Sequence, residues 1–209
     1  MAKKKNSVSP VAPCKYPWLK KPNTKWKAEG EYQVAQVFDQ DDPFVTGLEA
    51  QAEKEFKKFK ANLKPAKAKK LKFVSPVKED EDGEGEPTGN VRINFKSKTQ
   101  FVHKETKEIV KITPKVFDAS GKQIRNLPNI GNGSKLSVAF NPVPAVVKDE
   151  FYLTLWMNAV QLVELVEYGG DGSNYGFGKA EGGYSAADAE GSEMGDAPED
   201  DDDDDATEF

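Results

Sequence analysis

One residue in this chain of 209 is cysteine and one is histidine, and these scarcities exclude much. Cys14 alone can form no internal disulfide and no cysteine-based metal site, and it fits a reducing, intracellular setting. His103 falls at the edge of an expected strand, in a turn of Lys, Glu and Thr, where a histidine is a surface residue rather than a general base. No apolar run approaches the roughly 20 residues needed to cross a bilayer, so no membrane contact is expected. Lys3, Lys4 and Lys5 have no apolar stretch behind them, which is not the pattern of a secretory signal. The acidic pairs lie in low-complexity loops, where no rigid frame holds two carboxylates at a catalytic separation. Gly131, Asn132, Gly133 and Ser134 precede a strand rather than a helix, so they read as a tight turn and not a phosphate cradle. With no zinc, P-loop or dinucleotide signature, the chain is expected to be no enzyme and to carry no cofactor and no metal.

What is present is charge, unevenly placed. The formal net charge of −5 hides a split. Residues 171–209 hold 14 acidic groups and one lysine, Lys179, and residues 1–170 hold 29 basic against 21 acidic groups, a net of +8. A basic body with an acidic end points to contact with nucleic acid by one part and regulation by the other. The length suits one domain with disordered ends, expected as a body over 1–170 and a solvated tail over 171–209.

Within the body, residues 1–30 mix Lys and Pro with Tyr16, Trp18 and Trp26. Pro10, Pro13, Pro17 and Pro22 argue against a regular element and for an extended basic arm, pinned where the aromatics find cover. Residues 31–38 read as a strand. Thr46 with Glu49 suggests a capping box. Val45, Leu48, Ala52, Phe56 and Phe59 then recur at helical spacing as one apolar stripe, which Pro65 must end. A basic stretch over 64–72 follows, then an acidic, Gly-rich loop over 79–90 with no reason to fold alone. From Val91 the period is two. Val91, Ile93 and Phe95 alternate with Arg92, Asn94 and Lys96, giving a half-buried strand with a basic outer face. Further strands are expected at 99–104, 109–117, 135–141 and 151–166, the last continuing through a segment that periodicity alone leaves open to helix. The fold class is thus mainly β. One capped helix among many short strands suggests a five-stranded Greek-key barrel of the OB type, closed by a single capping α-helix.

Binding a single nucleic-acid strand requires cations that track phosphates and aromatic faces on which bases stack. Lys67, Lys69, Lys70 and Lys72 lie in one stretch, and Arg92, Lys96 and Lys98 share one outward strand face. Lys104, Lys107 and Lys111 lie near the following hairpin. Tyr16, Trp18, Trp26, Tyr152 and Trp156 are the aromatic candidates. Trp156 could serve either face of its strand. One such lysine is ordinarily only a solubilising group, but the set on a body of net +8 favours nucleic-acid binding. The tail closes with Asp200, Asp201, Asp202, Asp203, Asp204 and Asp205, then Ala206, Thr207, Glu208 and Phe209. A tethered polyanion competes with DNA for a basic groove at a linker-set effective concentration, an effect that salt screens. Charge does not account for Phe209, whose ring and carboxylate suit a partner's pocket.

The order of these features resembles the single-stranded DNA-binding replication proteins of T7-type short-tailed bacteriophages. The stretches FVHKETKEIVKI (101–112), DASGKQIRNLPNIGNGSKL (118–136) and VQLVELVEYGG (160–170) carry the likeness, with the opening MAKK and the acidic end closing on Phe. The resemblance implies an OB-fold protein of phage DNA replication and recombination, and of DNA repair, in the cytoplasm of the bacterial host. It implies that the protein coats single-stranded DNA, promotes annealing, forms a homodimer, and docks phage DNA polymerase and helicase-primase through its tail. Lys3, Lys67 and Lys96 fall where that family places DNA-linked basic groups, and Phe209 falls on its terminal aromatic. One departure stands out. Where the family can carry a DNA-contacting tyrosine, in the loop after the GNGSKL strand, this chain has Ala145. Tyr152 and Trp156 are the nearest replacements by sequence. An alternative of another class is an acidic-tailed protein adaptor or chaperone.

Overall fold

Strict alternation makes β6 (Pro87–Lys98) the reference strand of the molecule: Val91, Ile93, Phe95 and Ser97 are buried, and Arg92 and Lys96 are half-exposed between them. The computed structural model describes residues 6–103 and 105–167. The other elements are β1 (Ser7–Val8), β2 (Ala12–Asn23), β3 (Glu31–Asp39), α1 (Pro43–Ala61), α2 (Pro65–Lys70), β4 (Lys72–Val74), β5 (Val77–Glu81), β7 (Gln100–Val102), β8 (Ile109–Lys111), β9 (Lys115–Phe117), β10 (Lys135–Val147) and β11 (Glu150–Glu164).

Five long strands close on themselves. β2 pairs antiparallel with β3 and β3 with β6; β6 runs parallel to β11; β11 pairs antiparallel with β10; β10 returns to β2. Closure leaves the strands of this circuit without a free edge. Inward side chains such as Ile93, Phe95, Leu136, Val138, Phe140 and Leu155 are fully buried, each contributing about 1.5–3 kcal/mol relative to exposure. The fold is mainly β, as expected, with two helices among the described residues rather than one.

α1 covers the barrel end formed by the end of β3 and the start of β11. Val45, Leu48 and Ala52 enter the main core, Phe44 packs on Phe38 and Phe140, and Phe56 and Phe59 pack on Phe151. The apolar stripe is therefore as expected, but its start is not. The N-cap is Asp42, whose carboxylate accepts from the Phe44 N–H at 2.7 Å, with Pro43 at the first helical position. Thr46 lies inside the first turn, and Glu49 accepts instead from the Ser75 hydroxyl. The Asp42–Pro43 pair satisfies the start more directly than the Thr/Glu box.

Two other expectations are overturned. Within the expected extended arm, residues 12–23 form the strand β2. Its pairing with β3 breaks between Lys15 and Trp18 and again between Trp18 and Asn23, so Pro17 and Pro22 fall where no ladder N–H is required. Ala12, Cys14 and Leu19 anchor it, while Tyr16, Trp18 and Trp26 remain exposed. The acidic 79–90 loop is mostly a hairpin of β5 and β6. Asp80, only 2% exposed, forms an ion pair with Lys15 at 2.8 Å and accepts from the Thr88 hydroxyl. Asp82 closes the turn, its carboxyl held below the usual range by the N–H groups of Glu86 and Glu84.

Of the remaining expectations, β3 matches closely, the 109–117 strand is split into β8 and β9, and β10 runs six residues beyond 141. The ambiguous 160–164 segment is strand. Gly131 to Ser134 form a turn that ties β2 to the segment just after β11: Gly133 N–H donates to Cys14 O and Ser134 Oγ accepts from Val166 N–H. His103 is exposed in the β7–β8 turn, its Nδ1 accepting from Thr106 N–H. No helix among the described residues is long and apolar enough to cross a membrane.

Candidate nucleic-acid interface

The barrel register sets the site. Trp18 on β2 lies opposite Gln33 on β3, Gln33 opposite Lys96 on β6, Lys96 opposite Trp156 on β11, and Trp156 opposite Asn141 on β10. These five residues form one rung around the outside of the circuit, and none of them is buried. Trp156 therefore faces outward, with its neighbours Leu155 and Met157 in the core.

The ammonium groups of Lys96 and Lys98 each lie 5.5 Å from the centroid of the Trp156 ring, within cation–π range. Contacts of this kind at exposed sites amount to about 0.5–1 kcal/mol, less than the ~1–3 kcal/mol available from stacking a base on an aromatic ring. A base can thus take the indole face while the two cations turn to phosphates. Lys98 makes no ion pair among the described residues. Lys96 has only a long contact, 3.9 Å, with Glu31, which Lys27 engages more closely at 3.1 Å.

Other expected residues are spread along the same outer surface. Arg92 lies four residues before Lys96 on the same face of β6, between Val37 and Lys78. Tyr152 lies four residues before Trp156 on the same face of β11, about 13 Å away. Its hydroxyl is hydrogen-bonded to the Glu150 carboxylate, which raises its pKa. Lys67, Lys69 and Lys70 are exposed on α2. α2 leads into β4, which pairs in parallel with β11 from Glu150 to Tyr152, so these lysines belong to the Tyr152 end. Lys111 ends β8 of the separate β7–β8 sheet, Lys107 lies in the turn between those two strands, and Lys104 lies outside the described residues. Lys3, the aspartates at 200–205, Glu208 and Phe209 lie outside the described residues.

The segment holding Ala145 is strand rather than loop. β10 runs on to Val147, a two-residue turn at Lys148 and Asp149 follows with both φ positive (48° and 65°), and Ala145 is paired directly with Tyr152. Trp26, 82% exposed, projects from the β2–β3 loop with Lys25 over its ring at 5.3 Å. That loop is tied to the end of β6 by the Thr99 hydroxyl, which donates to Glu29 O at 2.9 Å. It turns at Gly30, where φ is +75° and a Cβ would meet Pro22 at 2.8 Å. Sequence reading missed Glu31 as the carboxylate inside the basic patch. Its place in a strand carries no signal of which cation it faces.

The single-stranded DNA-binding protein of Enterobacteria phage T3 is 37% identical over 110 residues, 48% of this chain and 45% of that protein. The corresponding protein of Escherichia phage T7 is 34% identical over 131 residues, 59% of this chain and 54% of that one. The chain thus spans about half the length of the curated relatives it matches. The crystal structure of gp2.5, a single-stranded DNA-binding protein encoded by bacteriophage T7, superposes with a TM-score of 0.58 at 27% identity, covering 88% of this chain and 100% of that one. A C-terminally truncated single-stranded DNA-binding protein of bacteriophage Enc34 gives a TM-score of 0.51 at 16% identity, over 77% of this chain and 86% of that one, a likeness of fold. The family model described as single-stranded DNA-binding protein, bacteriophage T7, matches residues 10–165, and the chain belongs to that family.

Proposed function

We propose that this protein binds single-stranded DNA through the outer face of its barrel and catalyses no reaction. The observation that carries the reading is the half-exposed Trp156 ring with the ammonium groups of Lys96, its partner on the rung, and Lys98, two residues further along β6, both over it: a stacking surface and two cations for phosphates on rigid strands. Family membership supports it. The strand order of the closed circuit, with its single parallel pair β6–β11, supports naming the body, residues 1–170, an OB-fold domain. Tyr152, Arg92 and the α2 lysines extend the surface on which a strand would run, and by the family resemblance Lys3 is a further DNA-binding group. The binding is electrostatic in large part and falls steeply with salt. The test is titration with oligo-dT, followed by tryptophan fluorescence at low and high salt. Saturable, salt-sensitive quenching is expected, and no binding at low salt overturns the reading.

The acidic tail over 171–209 acts on this reading as a tethered competitor for the same cations, so a chain ending at Gly170 binds DNA more tightly at low salt than the full chain. Phe209 anchors partner proteins rather than DNA. By the family resemblance these are the phage polymerase and helicase-primase, in a homodimer that coats and anneals single strands during replication, recombination and repair in the host cytoplasm. Deleting Phe209 alone leaves DNA affinity unchanged and abolishes polymerase or helicase-primase association. Partner binding that survives this deletion rules out the anchor.

A further inference from the structure

A cleft of about 720 Å³ opens at the barrel end opposite α1, between β2 and the segment that runs from Thr113 to Leu127. Leu19, Val116 and Ile124 give it an apolar floor, and its charged lining consists of Lys20, Lys115 and Arg125, with no carboxylate, histidine or cysteine. The nearest turn is braced independently. The Asp118 carboxylate accepts from the Ser120 hydroxyl and the Lys122 N–H, which hold its pKa low, and the Gln161 amide donates to Asp118 O and Ala119 O. Asp118 is thus engaged within its own turn and does not line the cleft.

The cleft continues the rung. On β2, Lys20 is two residues past Trp18, about 7 Å along the strand. On β11, the pairing with β9 begins at Ala159, opposite Lys115, three residues past Trp156. The register makes β2, β6 and β11 run in the same direction, so both displacements, and Lys98 beyond Lys96, lead from the rung toward the same end. A strand stacked on Trp156 and leaving past Lys98 and Trp18 meets three further cations.

We propose that this cleft, built from Lys20, Lys115 and Arg125, is a second subsite for single-stranded nucleic acid, holding phosphates of the strand as it leaves the Trp156 rung. The inference rests on the single-strand reading above. Three cations without a counter-charge favour a polyanion over a neutral ligand, and the side-chain amides of Gln123 and Asn126 on the rim offer hydrogen bonds to it.

The test is the salt dependence of oligo-dT binding, read by fluorescence anisotropy of a labelled strand, for wild type, W156A, the double variant K115A/R125A and its charge-preserving counterpart K115R/R125K. Lys115 and Arg125 are exposed, so thermal melting should be unchanged by their replacement. Each lost phosphate contact lowers the slope of log K against log salt by about 0.7. We expect K115A/R125A to bind about tenfold more weakly at low salt with a slope reduced by about 1.4, and K115R/R125K to behave as wild type. If W156A weakens binding while K115A/R125A leaves affinity and slope unchanged, the cleft is not a subsite and the rung reading stands. If wild type itself does not bind, both readings fall.

Discussion

Lys96 and Trp156 are directly paired across the parallel β6–β11 ladder, and the lysine ammonium lies 5.5 Å over the indole ring. Neither residue depends on a flexible loop for its position. Both are set by strands whose alternate side chains, Phe95 and Leu155, are locked in the core. A binding group held this way loses little conformational entropy when a strand arrives.

Among the described residues Glu31 is the one carboxylate that forms an ion pair with Lys96, at 3.9 Å. Facing phosphates, it repels. Replacing it by Gln should tighten oligo-dT binding by about threefold at low salt, the scale of one unit charge acting across solvent, with the gain fading at high salt. Anisotropy titrations of E31Q at two ionic strengths check this. Weaker binding by E31Q would mean that Glu31 positions Lys96 rather than opposing the ligand.

The Lys15–Asp80 pair fastens β2 to the β5–β6 hairpin. Lys15 retains partial access to water, while Asp80 has almost none. Removing Lys15 strands a buried carboxylate with only the Thr88 hydroxyl, at a cost of about 3 kcal/mol. D80A should cost less, because the freed ammonium reaches solvent. Urea unfolding of K15A and D80A measures both, and equal losses would contradict the asymmetry.

At the start of α1, D42A should cost about 1 kcal/mol through the lost cap to Phe44 N–H. T46A should leave stability nearly unchanged. The same urea midpoints decide between this cap and the box suggested by Thr46 and Glu49.

Cys14 is buried between β2 and the 131–134 turn, and burial pushes its thiol up to about 12. It should resist thiol reagents in the folded protein at pH 8 and react only on unfolding. Because the folded pKa lies above the ordinary value of 9.0, its contribution to stability is complete below pH 9. It is lost as pH rises toward 12, when the unfolded thiol ionises first. Urea midpoints from pH 8 to 10.5 should fall more steeply for wild type than for C14A. Parallel curves would place the thiol in contact with water.

Where local pattern and tertiary structure agree, the sequence was readable. The alternation in β6, the β-rich start of β3 and the apolar stripe of α1 each report a face that is in fact buried. Reading failed where a distant partner decides. Prolines argued against β2, yet breaks in its pairing place Pro17 and Pro22 outside the ladder. Acidic composition argued against the β5–β6 hairpin, yet Lys15, 65 residues away, neutralises its buried aspartate. Of the expected site residues, Arg92, Lys96 and Lys98 were legible as one outward face because period two sets them there, whereas the face of Trp156 was left open until the register placed it opposite Lys96. The cleft was not legible, because Lys20 and Arg125, 105 residues apart in sequence, come to line one cleft only in the folded chain.

The central claim is that a single strand lies on the surface formed by Lys96, Lys98 and Trp156, and the direct measurement is oligo-dT affinity of K96A/K98A/W156A against wild type at low salt. The three side chains are half-exposed or exposed, so circular dichroism and melting should be unaltered. Loss of two phosphate contacts and one stacked base predicts binding weakened at least a hundredfold, with the salt slope lowered by about 1.4. A triple variant that is folded and binds oligo-dT as tightly as wild type, with the same slope, would contradict the account.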